Sequence, residues 1–369
     1  SLESYRNATD GRYQLVTLPE RIGAGGNPLL RIIDLNRHAE RQGLSTPLVT
    51  AIDTHLKRGN QVLLFINRRG FAPALFCPQC ERAVDCDRCD ARMTVHASAG
   101  QLRCHHCGRQ QPLHWACPDC GNERIGVGAG TQRVTAELEA LYSDYRIARL
   151  DRDAIGKRGA LGDVLDEIES GRARIIVGTQ LLTKGHDFPA VTLVGILNAD
   201  QGLFGTDFRS EERLAQTIVQ VAGRAGRRDE RGEVLIQTHY PKHPLLELLL
   251  TKDYGAFAAH ALTERRQTGW PPFSHLAIWR AEATQRSPVF GFLQRLKREC
   301  AVDERGLRVL GPTPDFMERR DGRYRGHLLL QSNRRQLLHE LVESALAALR
   351  DWREARRVRW SVDVDPVEL

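Results

Sequence analysis

Apolar positions along this chain follow two rhythms. Val62-Leu63-Leu64-Phe65-Ile66 is an unbroken apolar run, the pattern of a strand buried on both faces. Strands are likewise predicted at Tyr13–Leu18, Arg31–Leu35, Arg146–Leu150, Ile175–Val177, Val191–Leu197 and Val234–Gln237. Between them the spacing becomes helical. One helix begins at Ser45-Thr46-Pro47, with Ser45 or Thr46 as cap and Pro47 in its first turn, and stops at Gly59. Others run from Gly128-Ala129-Gly130-Thr131 to Leu141, from Leu161 to Ser170 and from Glu211 to Ala222. Alternating strands and helices of this length predict a parallel sheet with helices on both faces.

Past Tyr240-Pro241-Lys242-His243-Pro244 the rhythm changes. A helical stretch, Leu245–Arg266, leads to a rigid turn, Trp270-Pro271-Pro272-Phe273. Strands near Leu276–Ala281 and Leu328–Gln331 bracket a basic helix, Pro288–Cys300. A helix Gln336–Arg350 and a strand Val358–Val364 close a second, smaller α/β domain. No repeat or low-complexity tract interrupts the chain.

A different kind of segment splits the first domain. Four Cys-x-x-Cys pairs lie at Cys77/Cys80, Cys86/Cys89, Cys104/Cys107 and Cys117/Cys120. Two intervening residues let one tight turn aim both sulfurs at one point, and two such turns make a tetrahedral thiolate site suited to Zn²⁺. Two Cys₄ zinc sites are therefore expected. Disulfides are the competing reading, disfavoured because the chain is long, charged and lacks a secretory segment. Iron–sulfur spacing is absent. Spacing alone allows three pairings of the turns. A segment inserted between strand and helix must leave near where it entered, which favours a nested arrangement, Cys77/Cys80 with Cys117/Cys120 around Cys86/Cys89 with Cys104/Cys107. A cross-braced arrangement is the alternative. Arg82, Arg88, Arg92, Arg103 and Arg109 lie among the cysteines, where they offset thiolate charge or meet phosphate.

The organisation predicted is 1–76 and 122–240 for one α/β domain, 77–121 for the Cys-rich insert and 241–369 for the C-terminal domain. The 369 residues carry a formal net charge of +7, compatible with nucleic acid without requiring it. The 6% aromatic share disfavours a surface built mainly of stacking platforms. No apolar run is long enough to span a bilayer, and the start has no signal-like region, so a cytoplasmic protein is expected. The missing initial Met suggests a piece of a longer chain. Cys300 stands outside the pairs and reads as a small buried residue.

Two further stretches carry chemistry. Gly178-Thr179-Gln180-Leu181-Leu182-Thr183-Lys184-Gly185-His186-Asp187-Phe188-Pro189 follows a strand, and Gln220-Val221-Ala222-Gly223-Arg224-Ala225-Gly226-Arg227 ends a helix. Each is weak alone; together, in this order, they resemble motifs V and VI in the second RecA-like lobe of superfamily 2 helicases. Asn67-Arg68-Arg69-Gly70-Phe71-Ala72 stands where motif IV would. With the Cys-rich segment between motifs IV and V, the chain resembles the replication-restart helicases of the PriA (primosomal protein N′) family over nearly its whole length. Ser1-Leu2-Glu3-Ser4 resembles the residues after motif III at the end of the first lobe. Departures from the family pattern are conservative, such as Gln132 where an acidic residue is common.

The resemblance implies an ATP-dependent 3′→5′ DNA helicase that recognises stalled or branched forks and starts primosome assembly. Arg227 is implied as an arginine finger, with Arg224 beside it on the same helix face and Gln220 sensing the nucleotide. Asp187 and Gly185 are implied at the nucleotide, Thr179, Gly178 and Arg68 at DNA phosphates. In the C-terminal domain, Arg319-Arg320-Asp321-Gly322-Arg323-Tyr324-Arg325 reads as a loop for DNA, with Arg323, Tyr324 and Arg325 in contact. Arg334 and Arg335, opening the last long helix, are implied to meet the acidic–apolar tail of single-stranded-DNA-binding protein. The primosome proteins and the replicative helicase are the other implied partners. The bland alternative for all these arginines is a solvated surface.

The sequence contains no Gly-x-x-x-x-Gly-Lys-Ser/Thr. Gly156-Lys157-Arg158 lacks the spacing, and Asp166-Glu167-Ile168-Glu169 falls inside a predicted helix. ATP and Mg²⁺ would thus need a partner lobe, and the chain alone is expected to be inactive. Two other functions compete: a non-enzymatic zinc-ribbon nucleic-acid-binding module on an α/β scaffold, and a translation or RNA-modification factor. Motifs V and VI discriminate against both.

Overall fold

A computed structural model describes the chain except residues 17–25, 67–73, 97–98, 128–130, 152–159, 180–187, 206, 227–229 and 302–305. It divides into two compact units, one formed by Ser1–Phe71 and Ala129–Leu262, the other by Ala72–Gly128 and Thr263–Leu369.

The first unit is built on a six-stranded sheet in the order Leu29–Asp34, Glu233–Thr238, Val191–Leu197, Gln61–Ile66, Ala173–Gly178, Arg146–Leu150, with every neighbour parallel. The apolar run 62–66 lies at its centre and is wholly buried. Its side chains alternate between faces, as a period of two requires. Val62, Leu64 and Ile66 meet Leu48, Ile52 and Leu56 of helix Thr46–Lys57 and Val134 and Leu138 of helix Thr131–Leu141. Leu63 and Phe65 face the opposite layer, which holds Ile168 of helix Ala160–Glu169 and Leu214, Ala215 and Ile218 of helix Ser210–Ala222. Each such burial stabilises by about 1.5–3 kcal/mol.

The start of the chain departs from expectation. A helix, Leu2–Thr9, is capped by the Ser1 hydroxyl, which accepts from the Ser4 amide at 3.2 Å. Buried Leu2 donates its amide to Glu212 Oε1 at 2.9 Å, and Glu3 pairs with Arg209 at 2.6 Å. The strand expected at Tyr13–Leu18 does not form over Tyr13–Val16, whose Tyr13, Leu15 and Val16 side chains are exposed and which pair with no strand among the described residues. Ser45 occupies the expected cap position without a side-chain cap bond; its amide is held by Gln237 Oε1 at 2.9 Å. The helical stretch after Pro244 breaks into Pro244–Thr251 and Tyr254–Thr268, because the Asp253 carboxylate accepts from the Ala256 amide at 2.8 Å and starts a new helix.

In the second unit the C-terminal domain is a four-stranded antiparallel sheet in the order Leu307–Arg320, Arg323–Ser332, His275–Ala283, Arg359–Val364. Helices Arg286–Cys300 and Arg335–Leu349 complete a β-α-β-β-α-β ferredoxin-like arrangement. Trp279, Phe292, Leu293, Leu328, Leu330 and Val342 fill its core, and Cys300 is buried there. The long strand Leu307–Arg320 contains Pro312 and Pro314, which read as breakers. Both are tolerated because this is an edge strand, where a missing amide costs no ladder bond and register shifts absorb the extra residues.

The loop expected at Arg319–Arg325 is a hairpin. Arg320 pairs with Arg323, and the two-residue turn Asp321-Gly322 has φ of 52° and 74°, both left-handed. That is the type I′ geometry for which Asp-Gly is the preferred sequence.

Candidate metal centres and helicase motifs

The Cys-rich segment builds four copies of one turn. In each, the first cysteine pairs with the residue five positions on. Cys77 lies opposite Arg82 in a strand pair, and the amides of Cys86, Cys104 and Cys117 each donate at 2.8 Å to the carbonyls of Ala91, Arg109 and Asn122. Three turns then need a left-handed residue after the second cysteine, supplied by Glu81 at φ 54°, Gly108 at 77° and Gly121 at 74°. This conformation reverses the chain so that both sulfurs face inward.

The turns converge in the nested arrangement. Cys77, Cys80, Cys117 and Cys120 form one cluster, and Cys86, Cys89, Cys104 and Cys107 the other, with all four sulfurs of each within 4.8 Å of one another. Sulfur–sulfur distances are 3.6 Å for Cys77–Cys120, 3.9 Å for Cys80–Cys117 and 3.7 Å for Cys86–Cys107. Four thiolates on one Zn²⁺ at about 2.3 Å, placed tetrahedrally, lie about 3.8 Å apart. The donor set fits zinc. A disulfide would need about 2.05 Å, so these contacts are not disulfides. Crowding splits the thiols. The Asp119 and Cys120 backbone amides draw Cys117 down to about 6. Cys80 is pushed up to about 12 by its own side-chain bond with Cys120, together with burial.

The arginines among the cysteines are exposed, but residues 77–120 hold five arginines against five acids and no lysine. Arg109 is paired with Asp87 at 3.2 Å and Arg88 with Asp321. With arginines and acids equal in number, the segment is not a basic patch.

In the first unit the motifs fall at opposite edges of the sheet. Gly178 closes strand Ala173–Gly178 at the carboxyl edge, and the Thr179 amide donates to Leu150 O at 3.3 Å. Helix Ser210–Ala222 runs back across the sheet and stops at Gly223, whose amide donates to Val219 O at 2.9 Å. Arg224 therefore sits in a turn beyond the helix rather than on its face. The turn is tied down by the Gly226 amide, donating at 2.8 Å to the carbonyl of Val191, the first residue of strand Val191–Leu197. Gly226, at φ 67°, lies so close to Gly232 that a Cβ would fall 2.1 Å from the Gly232 nitrogen. The Thr179 and Arg224 edges are separated by the length of a strand, about 20 Å. Gln220 is exposed on the last turn of the helix. Arg68, Gly185, Asp187 and Arg227 lie outside the described residues.

One carboxyl-edge feature escaped the sequence reading. Asp200, just past strand Val191–Leu197, accepts from the His239 amide at 3.1 Å and from the Thr238 hydroxyl, and its carboxylate lies 2.9 Å from His239 Nδ1. It thus locks the carboxyl ends of two adjacent strands. An acid flanked by no motif gives no sequence signal of this kind.

The C-terminal arginines are engaged as well. Arg325 pairs with Asp315 at 2.9 Å, Arg323 approaches Glu282 at 3.9 Å, and Tyr324 packs against the domain core. Arg335, exposed at the start of helix Arg335–Leu349, lies 3.8 Å from the Asp365 carboxylate, with Arg334 at the helix N-cap.

Three protein-family models match the chain in succession. The PriA DNA helicase Cys-rich region domain matches residues 86–112, the helicase conserved C-terminal domain 124–229, and the primosomal protein N C-terminal domain 266–367. The chain is 43% identical to replication restart protein PriA of Haemophilus influenzae, covering 100% of this chain and 50% of that protein. It is 34% identical to the PriA of Bacillus subtilis, covering 99% of this chain and 46% of that one, and 33% identical to the PriA of Rickettsia conorii, covering 95% and 54%. The chain belongs to the PriA family. It spans about half the length of the curated relatives it matches. Within that family the parallel sheet is the helicase C-terminal lobe, and the eight paired cysteines make two Cys₄ zinc-binding sites. No helix among the described residues is long and apolar enough to cross a membrane.

Proposed function

We propose that this chain is the second-lobe, zinc-module and C-terminal part of an ATP-dependent 3′→5′ DNA helicase that acts on branched DNA and starts primosome assembly in replication restart. The observation that carries this reading is the division of motifs between the two edges of one sheet. Thr179 and Gly178 lie at the carboxyl edge, where ligands of open α/β sheets bind, and there, with Arg68, they would hold DNA phosphates. The Arg224 turn lies at the other edge, where Arg224, Arg227 and Gln220 would meet the γ-phosphate of an ATP held by another lobe, with Gly185 and Asp187 linking nucleotide to DNA. Mg²⁺ would accompany that nucleotide. Placing the two ligands on opposite edges lets a small lobe rotation at the nucleotide become a displacement along DNA. A passive zinc-ribbon protein would have no use for an arginine turn braced this tightly.

In the C-terminal domain, Arg334 and Arg335 put two cations at a helix N-terminus, whose own dipole already attracts anions. Arg335 already lies 3.8 Å from the Asp365 carboxylate, so the acidic tail of single-stranded-DNA-binding protein would bind there in competition with that acid. Arg323 and Arg325 already face carboxylates, so DNA phosphate would compete with Glu282 and Asp315. Their joint loss should then flatten the salt dependence of DNA binding by less than the 1–2 log–log units expected of two free arginines.

The test uses the intact parent protein. Arg227→Ala should lower DNA-stimulated ATP turnover by about 10³-fold or more while leaving DNA affinity nearly unchanged. The 369-residue chain alone should bind forked and single-stranded DNA with steep salt dependence and without hydrolysis. Near-normal turnover in the parent variant would remove Arg227 from the catalytic machinery.

A further inference from the structure

The second cysteine cluster has a neighbour drawn from far along the chain. The tip of the C-terminal hairpin, Arg319-Arg320-Asp321-Gly322, lies against the turn Cys86-Asp87-Arg88-Cys89-Asp90, about 230 residues earlier. The Asp321 amide donates to Cys89 Sγ at 3.1 Å. The Gly322 amide donates to Arg88 O, and the Asp90 amide to Arg319 O, both at 2.7 Å. The Asp90 carboxylate accepts from the Arg319 amide at 2.6 Å, and Arg88 pairs with Asp321. Arg320 donates to the carbonyl of His106, inside the Cys104–Cys107 turn, at 3.4 Å. Met317 packs against the small core that Leu75, Met93 and Leu102 form around Cys86, Cys89 and Cys104.

The first cluster is different. Its sulfurs receive local donors: the Cys80 amide to Cys77 Sγ at 3.5 Å and Asn122 Nδ2 to Cys120 Sγ at 3.7 Å. Only the second is bridged to the C-terminal sheet among the described residues.

We propose that the C-terminal hairpin completes the outer shell of the second zinc site, so that metal binding there and docking of the hairpin stabilise each other. An N–H bond to a metal-bound thiolate is charge-assisted and orients the sulfur. The Asp321 amide is presented only because the Asp321-Gly322 turn holds both residues in left-handed backbone. Linkage requires reciprocity: whatever the docked hairpin adds to metal affinity, the metal adds to docking. The second zinc thereby joins the Cys-rich segment to the C-terminal domain, while the first serves the segment itself.

The hairpin side is tested by Gly322→Val in the 369-residue chain loaded with two zincs. A β-branched residue cannot hold φ 74°, so the turn opens and withdraws the Asp321 amide while every cysteine remains. Zinc transfer to a chromophoric chelator should become biphasic, one metal leaving about 10–100-fold faster and the other at the wild-type rate. Asp321→Asn, which tolerates the left-handed conformation and keeps the amide, should stay within a few-fold of wild type. The metal side is tested by amide hydrogen exchange with an unaltered hairpin. Cys107→Ser should deprotect Asp321 and Gly322, and Cys120→Ser should not. This second measurement decides the matter if Gly322→Val does not fold. Equal acceleration of both zincs, wild-type release of both, or unchanged hairpin protection in Cys107→Ser would overturn the linkage.

Discussion

The parallel-sheet lobe and the Cys-rich segment reach order by different means. The lobe packs two apolar layers against a central sheet whose middle strand is buried along its full length. The Cys-rich segment has strands of two to four residues and a core of a few side chains, several of them cysteine sulfurs. So small a core cannot offset the entropy of ordering the chain, and metal ligation must stand in for burial. A core distributed over many side chains tolerates losing any one; a core gathered at two metals does not.

The sharpest way to break this contrast is to strip the zinc. Chelation under reducing conditions should abolish the structure of the Cys-rich segment, since a structural zinc contributes about 10–16 kcal/mol of apparent folding free energy. Hydrogen exchange across Gln61–Ile66 should stay slow. Loss of protection there at the same chelator concentration would mean the lobe depends on metal too.

A smaller effect probes the lobe. A Cβ at Gly195 would lie 2.7 Å from Leu64 Cδ2 and 3.0 Å from Leu48 Cδ1, between the central strand and helix Thr46–Lys57. Gly195→Ala should destabilise the lobe by about 1–3 kcal/mol through overpacking, read by denaturant melting, with zinc content unchanged. An unaffected midpoint would show that the leucine ends move aside freely.

The smallest effect belongs to the C-terminal domain, where polar pairs supplement a conventional core. Burial would raise the Asp315 pKa, but the hydrogen bond from His327 and the Arg325 guanidinium outweigh it and hold the group below its usual 3.8. A depressed acid contributes stability that is present above its unfolded value and lost as pH falls through its folded one. Acid titration of the domain should therefore show a loss beginning near 3.8 and continuing below it. Asp315→Asn should flatten that limb, and an identical acid limb in the variant would assign it elsewhere.

Much of this could be read from residue order. Periodicity placed the central strand and its helices because a buried parallel strand must be apolar on both sides. The paired cysteines implied two metals because Cys-x-x-Cys has few other uses in a long, charged chain. Spacing allowed three pairings; the need of an insertion to return to its origin favoured the nested one, and only the packed turns decided it against the cross-braced alternative. Gly226 and Gly232 carried no such message, since their need for close backbone approach arises only once strand and turn are packed. The Arg319–Arg325 stretch reads as a loop when its charges lead, although its Asp-Gly pair is the signal of the hairpin that forms. What tertiary structure alone decided was contact between distant segments: Arg224 placed one sheet-length from Thr179, Asp200 bonded to His239, and the Asp321 amide set on Cys89. Local sequence encodes local dihedrals and burial; which remote groups meet is set by how the completed elements pack.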